Sequence, residues 1–409
     1  MTIFTPKTEE DVLETVQWAL SREVPMEIIG HGTKRAIGRP MQVEHTIDLS
    51  GLSGVTLYEP EELVLSAKAG TPLAEIEALL GKHGQCLQFE PMDYGPLLKQ
   101  VQEKCEGSEP GRGTIGGVLA ANLSGPRRLK AGAARDHILG VRAVSGRGEL
   151  FKSGGRVVKN VTGYDLSKGM AGSWGTLGVF AEVTFKVLPA PETETTLALR
   201  GLEDEEAARA MAIAMGSSAE VSSAAHLPVT VTGKVVGGAL SGKASTLLRL
   251  EGFAPSVEAR AERLKALLKP AGELDEIAED QSRRLWQEIR DCLPFADNTQ
   301  RCIWRVSMAP MEAHKMVYAL RLGAGVDAFY DWQGGLVWLR MEADPEPQAL
   351  RRLIAHFGGG HATLVRAPAV TRGTVDVFEP QPPSLAALSQ RLKQQFDPKG
   401  ILNRGRMLA

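Results

Sequence analysis

The chain has 409 residues, of which 43% are hydrophobic and 23% charged, a composition typical of globular proteins with about two or three domains. Its formal net charge is −2, so no global basic field favours nucleic-acid binding. It has no apolar run long enough to span a membrane. The N-terminal MTIFTPKTEEDV lacks a basic region followed by an apolar one, which argues against a secretory signal. We therefore expect a cytoplasmic protein.

The four cysteines are spread over the chain, with no C-x-x-C pair. Their spacing does not predict a zinc or iron–sulfur site, and no metal is expected. Reduced thiols in a cytosolic protein are the favoured interpretation. The four residues are Cys86, Cys105, Cys292 and Cys302.

The first elements alternate between helix and strand. Thr8, with Asp11 three residues on, predicts a capped helix. A short apolar strand at 25–29 runs into a glycine loop, and strands are expected at 46–49 and 62–69. Thr71 and Pro72 then open a second helix.

The loop after the first strand reads Gly30-His31-Gly32-Thr33-Lys34. Glycines here let successive backbone N–H groups point into one concavity, which suits a phosphate. The Thr33 hydroxyl and the Lys34 charge favour the same ligand. An ordinary glycine turn with a solvated basic pair is an equally good interpretation of this loop alone.

The second glycine loop, GRGTIGG at 111–117, matches G-x-G-x-x-G literally. The preceding GSEP is not a strand, so a Rossmann interpretation fails. The loop nevertheless opens a helix, VLAANLSG, whose N-terminal amides suit an anion.

Two further motifs are rejected. Gly237 and Gly242-Lys243 have the spacing of a triphosphate-binding loop, but Ala244 replaces the magnesium-binding hydroxyl. The flanking VTVTGKVV and STLLRLEG predict a hairpin instead. Ser173 resembles a hydrolase nucleophile, but Ala171 replaces the required glycine.

A domain boundary is predicted at 188–191, where LPAP breaks the alternating strand 179–188. From about residue 195, strand-like and helix-like segments recur. This pattern predicts an antiparallel sheet with helices on one face. A last helix is expected from Ser384, followed by FDPKGILNRGRML.

These segments occur in one order: GHGTK, FEP, GTIGG with AANLSG, GSWGTLGVFAEVTFKVLP, and FDPKGILN. In this order they resemble the vanillyl-alcohol-oxidase/PCMH-type FAD-binding family over nearly the whole chain. LSGPRRLKAGAARDHILGVRAV and GGRVVKNVTGYDLSKGMAGSWGTLG are similar to the FAD-binding E subunits of bacterial glycolate oxidases (glycolate dehydrogenases). The resemblance implies an α+β fold. A PCMH-type FAD-binding domain of two α+β subdomains would span 1–190, an α+β cap domain with an antiparallel sheet 191–379, and a tail returning to the FAD domain 380–409.

The resemblance also implies a set of FAD-binding residues. Small residues and backbone amides permit close approach to a large planar cofactor. Binding would be non-covalent, because Thr33 stands where some relatives carry a tethering histidine. The implied residues are Gly30, His31, Gly32, Thr33 and Lys34 for the pyrophosphate; Pro91, Gly113, Thr114, Ile115, Gly116, Gly117, Ala121, Asn122, Ser124 and Gly125 along the flavin; Gly175, Thr176, Gly178 and Val179 for the adenine–ribose half; and Asn403 towards the isoalloxazine.

Two departures from the family pattern concern the flavin and the substrate. Residues 94–112 form an extra segment, in which PLLKQVQEK predicts a short surface helix. Gly358-Gly359-Gly360-His361 does not match the G-H-x-G-D-G-N stretch of relatives that oxidise hydroxy acids. No catalytic residue is therefore assigned. The cap side chains of a suitable type are His226, His314, His356 and His361, with Arg301, Arg305, Arg340 and Arg366 for a carboxylate, although each arginine equally suits a surface charge or a partner contact.

The resemblance implies an FAD-binding subunit of a complex that oxidises glycolate to glyoxylate. Its partners would be a second flavin subunit and an iron–sulfur subunit. The complex would be cytoplasmic, either free or held at the inner membrane through these partners. Two alternatives remain open: a free-standing FAD-dependent 2-hydroxy-acid dehydrogenase, and a non-catalytic FAD-binding subunit for assembly or electron relay.

Overall fold

A small parallel sheet opens the chain in the computed structural model, which describes residues 2–101, 113–156 and 163–407. Its strands run in the order β1-β3-β2. Thr8 accepts a hydrogen bond from the Asp11 amide and completes the predicted capping box. The elements are β1 (Thr2–Phe4), α1 (Glu9–Arg22), β2 (Met26–Ile29) and β3 (His45–Asp48).

The second lobe is a five-stranded antiparallel sheet of order β4-β5-β9-β7-β8, with a separate β6–β10 pair. Short helices connect its strands. The elements are β4 (Val55–Glu59), β5 (Val64–Lys68), α2 (Leu73–Gly81), β6 (Gln85–Cys86), α3 (Gly95–Leu98), α4 (Ile115–Ala121), α5 (Arg128–Ala131), α6 (Ala134–His137), β7 (Ile138–Ser145), β8 (Leu150–Gly154), α7 (Leu166–Met170), β9 (Gly178–Lys186) and β10 (Leu188–Pro189).

The chain then enters an eight-stranded antiparallel sheet of order β14-β11-β13-β12-β16-β17-β15-β18, which we call the cap. Its elements are β11 (Thr193–Arg200), α8 (Asp204–Met215), β12 (Ser223–Leu227), α9 (Val229–Thr232), β13 (Ser245–Gly252), α10 (Ala254–Leu268), β14 (Leu274–Ile277), α11 (Glu279–Arg290), β15 (Ile303–Met308), α12 (Ala313–Arg321), β16 (Val326–Asp331), β17 (Leu336–Met341), α13 (Pro347–His356), β18 (Gly360–Arg366) and α14 (Ala369–Thr374).

The two faces of the cap sheet have different partners, because side chains alternate along a strand. In β11, Leu197 and Leu199 pack on the face covered by α8 and α10. Ala198 belongs instead to the core that the cap shares with the first two lobes. On that same inner face, Thr196 accepts a hydrogen bond from Trp286 of α11 at 2.7 Å. The expectation that all cap helices lie on one face is therefore wrong for α11.

The tail returns to the first lobe. Helix α15 (Pro383–Phe396) ends at Asp397, whose carboxylate accepts hydrogen bonds from the amides of Ile401 and Leu402 at 3.0 and 2.9 Å. Leu402 forms a parallel bridge with Met26 in β2. The last described residues thereby lie beside the loop that follows β2.

Two local predictions need correction. VTVTGKVV is not a strand: it forms α9 and leads into a turn at Val236–Gly238, so no hairpin is present there. In the 94–112 segment, α3 covers only Gly95–Leu98, and its Leu97 and Leu98 are buried instead of lying on the surface. Residues 102–112, including Cys105, lie outside the described part of the chain. None of the described helices is long and apolar enough to cross a membrane.

Candidate functional site

A cavity with about 670 Å³ of empty space lies where four segments meet: the loop after β2, the start of α4, the loop before β9 and the tail. Its walls include many of the predicted cofactor residues: Gly30, His31, Gly32, Thr33, Lys34, Thr114, Gly116, Gly117, Gly175, Gly178 and Asn403.

Two wall glycines are required by close contacts. A Cβ on Gly30 would lie 2.5 Å from Oγ1 of Thr114, and one on Gly175 would lie 2.7 Å from Nδ2 of Asn403. Gly175 also has φ +72°, a conformation that other residues rarely adopt. The wall thus depends on glycine at both positions.

Two cations from distant parts of the sequence flank the first glycine loop. Nζ of Lys34 lies 3.3 Å from Oγ1 of Thr33, and burial, together with the charge of Arg406, lowers the pKa of Lys34 to about 8. Burial likewise lowers the pKa of Arg406 to about 10. The Nη2 group of Arg406 donates to the Lys34 carbonyl at 2.7 Å, whereas its Nε, within the described structure, has no hydrogen-bond partner.

A bound anion would compensate this concentration of positive charge. Glu27, a nearby carboxylate, is already engaged by Arg35, whose Nε donates to it at 2.9 Å. The residues therefore fit the pyrophosphate of FAD: a glycine loop, a hydroxyl at Thr33, and two desolvated cations at Lys34 and Arg406.

Asn403 connects the tail to both sides of the cavity. Its Oδ1 accepts from the Ile28 amide and its Nδ2 donates to the Trp174 carbonyl, both at 2.8 Å. It lies beside Gly175, a residue predicted for the adenine–ribose half, whereas Asn403 itself is predicted to lie towards the isoalloxazine. The side-chain amide therefore holds the cavity wall together.

Other predicted residues lie in the core or in the segments next to the cavity wall. Ile115 and Val179 are fully buried in the core. The Thr176 hydroxyl donates to the Ser173 carbonyl at 2.7 Å. Gly113 lies next to Lys34, since a Cβ on it would be 3.0 Å from the lysine Nζ.

The rest of the predicted flavin wall continues from α4 towards the cap. Ala121 ends α4, and Asn122 follows it with Oδ1 accepting from the Arg135 amide at 3.0 Å. The Ser124 hydroxyl accepts from the Ala134 amide at 3.1 Å. The Gly125 carbonyl accepts a hydrogen bond from Trp332 of the cap.

Pro91 lines a different cavity, between the second lobe and the cap. In the same wall, Arg127 donates to Glu251 at 3.0 Å, and Arg249 donates to Glu90 and Glu194, each at 2.8 Å. Although burial alone would raise it, the two arginines lower the pKa of Glu90 to about 2. This network joins the second lobe to the cap, and sequence reasoning did not identify it.

The cap histidines are not brought together. His226 is buried, with Nδ1 3.0 Å from the Thr246 hydroxyl and Nε2 3.3 Å from Asp204. His314 lies on α12 and His356 ends α13. His361 lies on β18, on the strand that borders Arg305 of β15.

The four predicted arginines have different surroundings. Arg340 pairs with Asp297 and Asp327. Arg366 is buried, with Nη1 donating to the Phe295 carbonyl at 2.8 Å. Arg301 is exposed, and Arg305 stacks on Trp332.

Cavity residues that sequence reasoning missed include Trp174 and Arg406. Trp174 follows Ser173 in the rejected hydrolase motif and has φ +54°. Arg406 stands three residues after Asn403, in a terminal NRGRML whose residue types alone do not separate it from the exposed Arg404. Only the return of the tail identifies Arg406 as a wall residue.

Comparison with known proteins gives consistent results for sequence and fold. The model of a family described as an FAD binding domain matches residues 2–98 and 99–154. Glycolate oxidase subunit GlcE of Escherichia coli (strain K12) is 36% identical over 97% of this chain and 97% of its own length. Glycolate oxidase subunit GlcD of Bacillus subtilis (strain 168) is 44% identical over 20% of this chain and 18% of its own. A crystal structure of p-cresol methylhydroxylase with substrate bound superposes with a TM-score of 0.69 at 15% identity, covering 99% of this chain and 88% of that one, and so shares the fold.

Proposed function

The chain belongs to the FAD-dependent oxidoreductase family that includes glycolate oxidase subunit GlcE, and we propose that it is the FAD-binding subunit of a complex that oxidises glycolate to glyoxylate. The substrate class is the small 2-hydroxy acids. The observation that carries the proposal is the glycine-walled cavity with Lys34 and Arg406 at its edge.

In this proposal the first loop and the tail hold the pyrophosphate through Thr33, Lys34 and Arg406. The adenine–ribose half lies near Gly175 and Gly178, and the flavin follows α4 towards Gly125. When bound, FAD accepts a hydride from the α-carbon of the substrate. The protein supplies the orientation and the charges around the cofactor.

In this proposal the electrons leave the flavin through another protein. The four cysteines of the chain have no iron–sulfur spacing. We therefore assign a second flavin subunit and an iron–sulfur subunit as partners, in a cytoplasmic complex or one that its partners hold at the inner membrane. The similarity to two differently named glycolate oxidase subunits, GlcE and GlcD, supports a multi-subunit arrangement.

The mismatch of Gly358-Gly359-Gly360-His361 with the histidine-bearing stretch of relatives that oxidise hydroxy acids supports a subunit over a free-standing dehydrogenase, although His361 lies on the strand that borders Arg305. Oxidation of a hydroxy acid needs a base for the hydroxyl proton. His226 is already bonded within the cap, and His314 and His356 lie on separate helices. A non-catalytic FAD-binding subunit is the remaining alternative.

Anaerobic addition of glycolate to the complex, co-purified with its partners, tests the proposal. We expect the flavin absorbance near 450 nm to bleach on a turnover timescale of about a second or less. A complex that contains this chain and FAD but keeps its absorbance unchanged would reject glycolate oxidation. Bleaching that requires the partners but not FAD on this chain would favour the non-catalytic subunit.

A further inference from the structure

Trp332 of the cap is held rigidly against the predicted flavin wall. It follows β16 and is 6% exposed. Its Nε1 donates to the Gly125 carbonyl at 3.0 Å, and its backbone amide donates to Asp331 at 2.7 Å. Both Trp332 and Gln333 have positive φ, 51° and 61°. Such a turn persists only where the surroundings hold it, so the indole has a fixed position.

Two arginines from different domains converge on this indole. The guanidinium carbon of Arg128, in α5, lies 4.5 Å from the ring centre, and that of Arg305, in β15, lies 4.9 Å from it. Across the described ranges, neither guanidinium has a carboxylate within 4 Å or a hydrogen-bond acceptor. By contrast, Arg127 and Arg249, which lie at the same boundary, each form an ion pair with a glutamate.

The acidic groups nearby are engaged elsewhere. Asp136 accepts the Ala133 amide at 2.8 Å, and Glu379 accepts the Ala362 amide at 2.9 Å. Asp331 is buried and caps Trp332; burial raises its pKa to about 7.

The basic groups nearby repel one another. Partial burial, and then the charge of Arg305, lower the pKa of Arg128. Burial and the positive charge of Arg305 also lower the pKa of His361. Asp136 acts on Arg128 in the opposite direction and raises its pKa, but among the described residues neither Arg128 nor Arg305 forms an ion pair.

We propose that Arg128 and Arg305 form a seat for the carboxylate of a small 2-hydroxy or 2-oxo acid at the boundary between the FAD domain and the cap. The inference rests on the proposed function. Guanidinium groups match the planar geometry of a carboxylate and bind it in a bidentate manner. One arginine comes from each domain, so the seat exists only when the cap is docked. Gly125, which receives the Trp332 bond, places the seat beside the predicted flavin path.

The test measures binding of oxalate, a carboxylate probe with no hydride to transfer, to the FAD-loaded full chain. Titration calorimetry and flavin difference spectra give its Kd. We expect saturable binding of oxalate and none of the neutral glycolamide. Arg128→Gln and Arg305→Gln should each raise the oxalate Kd at least about tenfold, which corresponds to about 1.4 kcal/mol. The control is Arg301→Gln, because Arg301 lies just before β15, the strand that carries Arg305, but is exposed. This variant should leave the oxalate Kd within about twofold, as expected for a surface position.

Lysine variants distinguish a specific loss of carboxylate binding from a general loss of folding. Arg128→Lys and Arg305→Lys keep the charge but lose the two-pronged donor, so they should weaken oxalate binding less than the glutamine variants do. Flavin content per chain verifies that each variant is folded. Unchanged oxalate affinity in both folded glutamine variants would overturn the seat, and so would equal binding of glycolamide.

The seat and the proposed function can fail separately. If the complex oxidises glycolate with an unchanged KM in the Arg128→Gln and Arg305→Gln variants, the seat is wrong and the function stands. If oxalate binding depends on both arginines but the complex does not oxidise glycolate, the seat stands and the proposed function is wrong.

Discussion

Arg249 of the cap donates a hydrogen bond to the carboxylate of Glu90 in the FAD domain at 2.8 Å. Both side chains are largely buried, 4% and 12% exposed. Arg249 also reaches Glu194 and Glu251, and Glu90 accepts the amide of Arg127. The pair is therefore the centre of a charged network that fixes the cap over the segment from Gly125 to Arg128.

Replacing Glu90 should destabilise the folded chain. Glu90→Gln removes the charged hydrogen bonds that Glu90 accepts from Arg249 and Arg127 in a buried network, although Arg249 keeps Glu194 and Glu251 as partners. Hydrogen bonds to charged groups contribute about 1.5–3 kcal/mol each, so we expect a loss of about 2 kcal/mol. The free energy of unfolding in urea measures the effect. The matched control is Glu220→Gln: Glu220 also pairs across the domain boundary, with Lys130, but both side chains are more than half exposed. It should lose less than about 1 kcal/mol, and equal losses in the two variants would contradict a special role for Glu90.

The same carboxylate predicts a pH dependence. The folded-state pKa of Glu90 is about 2, below its ordinary value of 4.5. Its stabilisation is thus fully present above pH 4.5 and is lost as the pH falls towards 2. The difference in unfolding free energy between the wild type and Glu90→Gln should shrink over this window. A difference that is constant from pH 7 to pH 3 would show that ionised Glu90 is not the stabilising species.

The first glycine loop should be intolerant of negative charge. Gly32→Asp places a carboxylate beside the predicted pyrophosphate, and this repulsion should cost several kcal/mol of FAD affinity, about 3 or more. Gly32 has φ +66°, so Gly32→Asn, of the same size and tolerant of that conformation, is the control. We expect the purified aspartate variant to lack flavin and the asparagine variant to retain much more. Full flavin occupancy in Gly32→Asp would exclude this loop from the FAD site.

The flavin should be released by denaturation. We expect from the family resemblance that Thr33 occupies the position of the tethering histidine, and threonine has no imidazole nitrogen to form a bond with FAD. Acid precipitation should therefore leave the yellow colour in the supernatant. Colour that remains in the washed pellet would instead indicate a covalent attachment.

Local chemistry made part of this structure predictable. Thr8 and Asp11 cap α1 as their spacing predicts, because a capping box needs only neighbouring residues. The order of the glycine segments similarly predicted the FAD-binding fold. By contrast, VTVTGKVV was misread because its β-branched residues favour strands, whereas Val231 and Val235 are buried through tertiary packing after Pro228.

The rest of the candidate site depends on contacts between distant residues. Arg406 belongs to the cavity only because Leu402 pairs with Met26. Arg128 and Arg305 both contact Trp332 only because the cap packs against the segment that carries Arg128. Neither arrangement has a local sequence signal, since strand order and docking are set by long-range packing.

Steady-state dye reduction with glycolate tests most directly whether this chain works as a subunit of a complex. The rate per bound FAD is measured for the chain alone and for the chain co-expressed with the proposed second flavin and iron–sulfur subunits. We expect a low or undetectable rate for the chain alone and a rate of at least about 1 s⁻¹, the lower end of typical turnover numbers, for the complex. Equal rates per FAD in the two samples would contradict the account and identify the chain as a free-standing dehydrogenase.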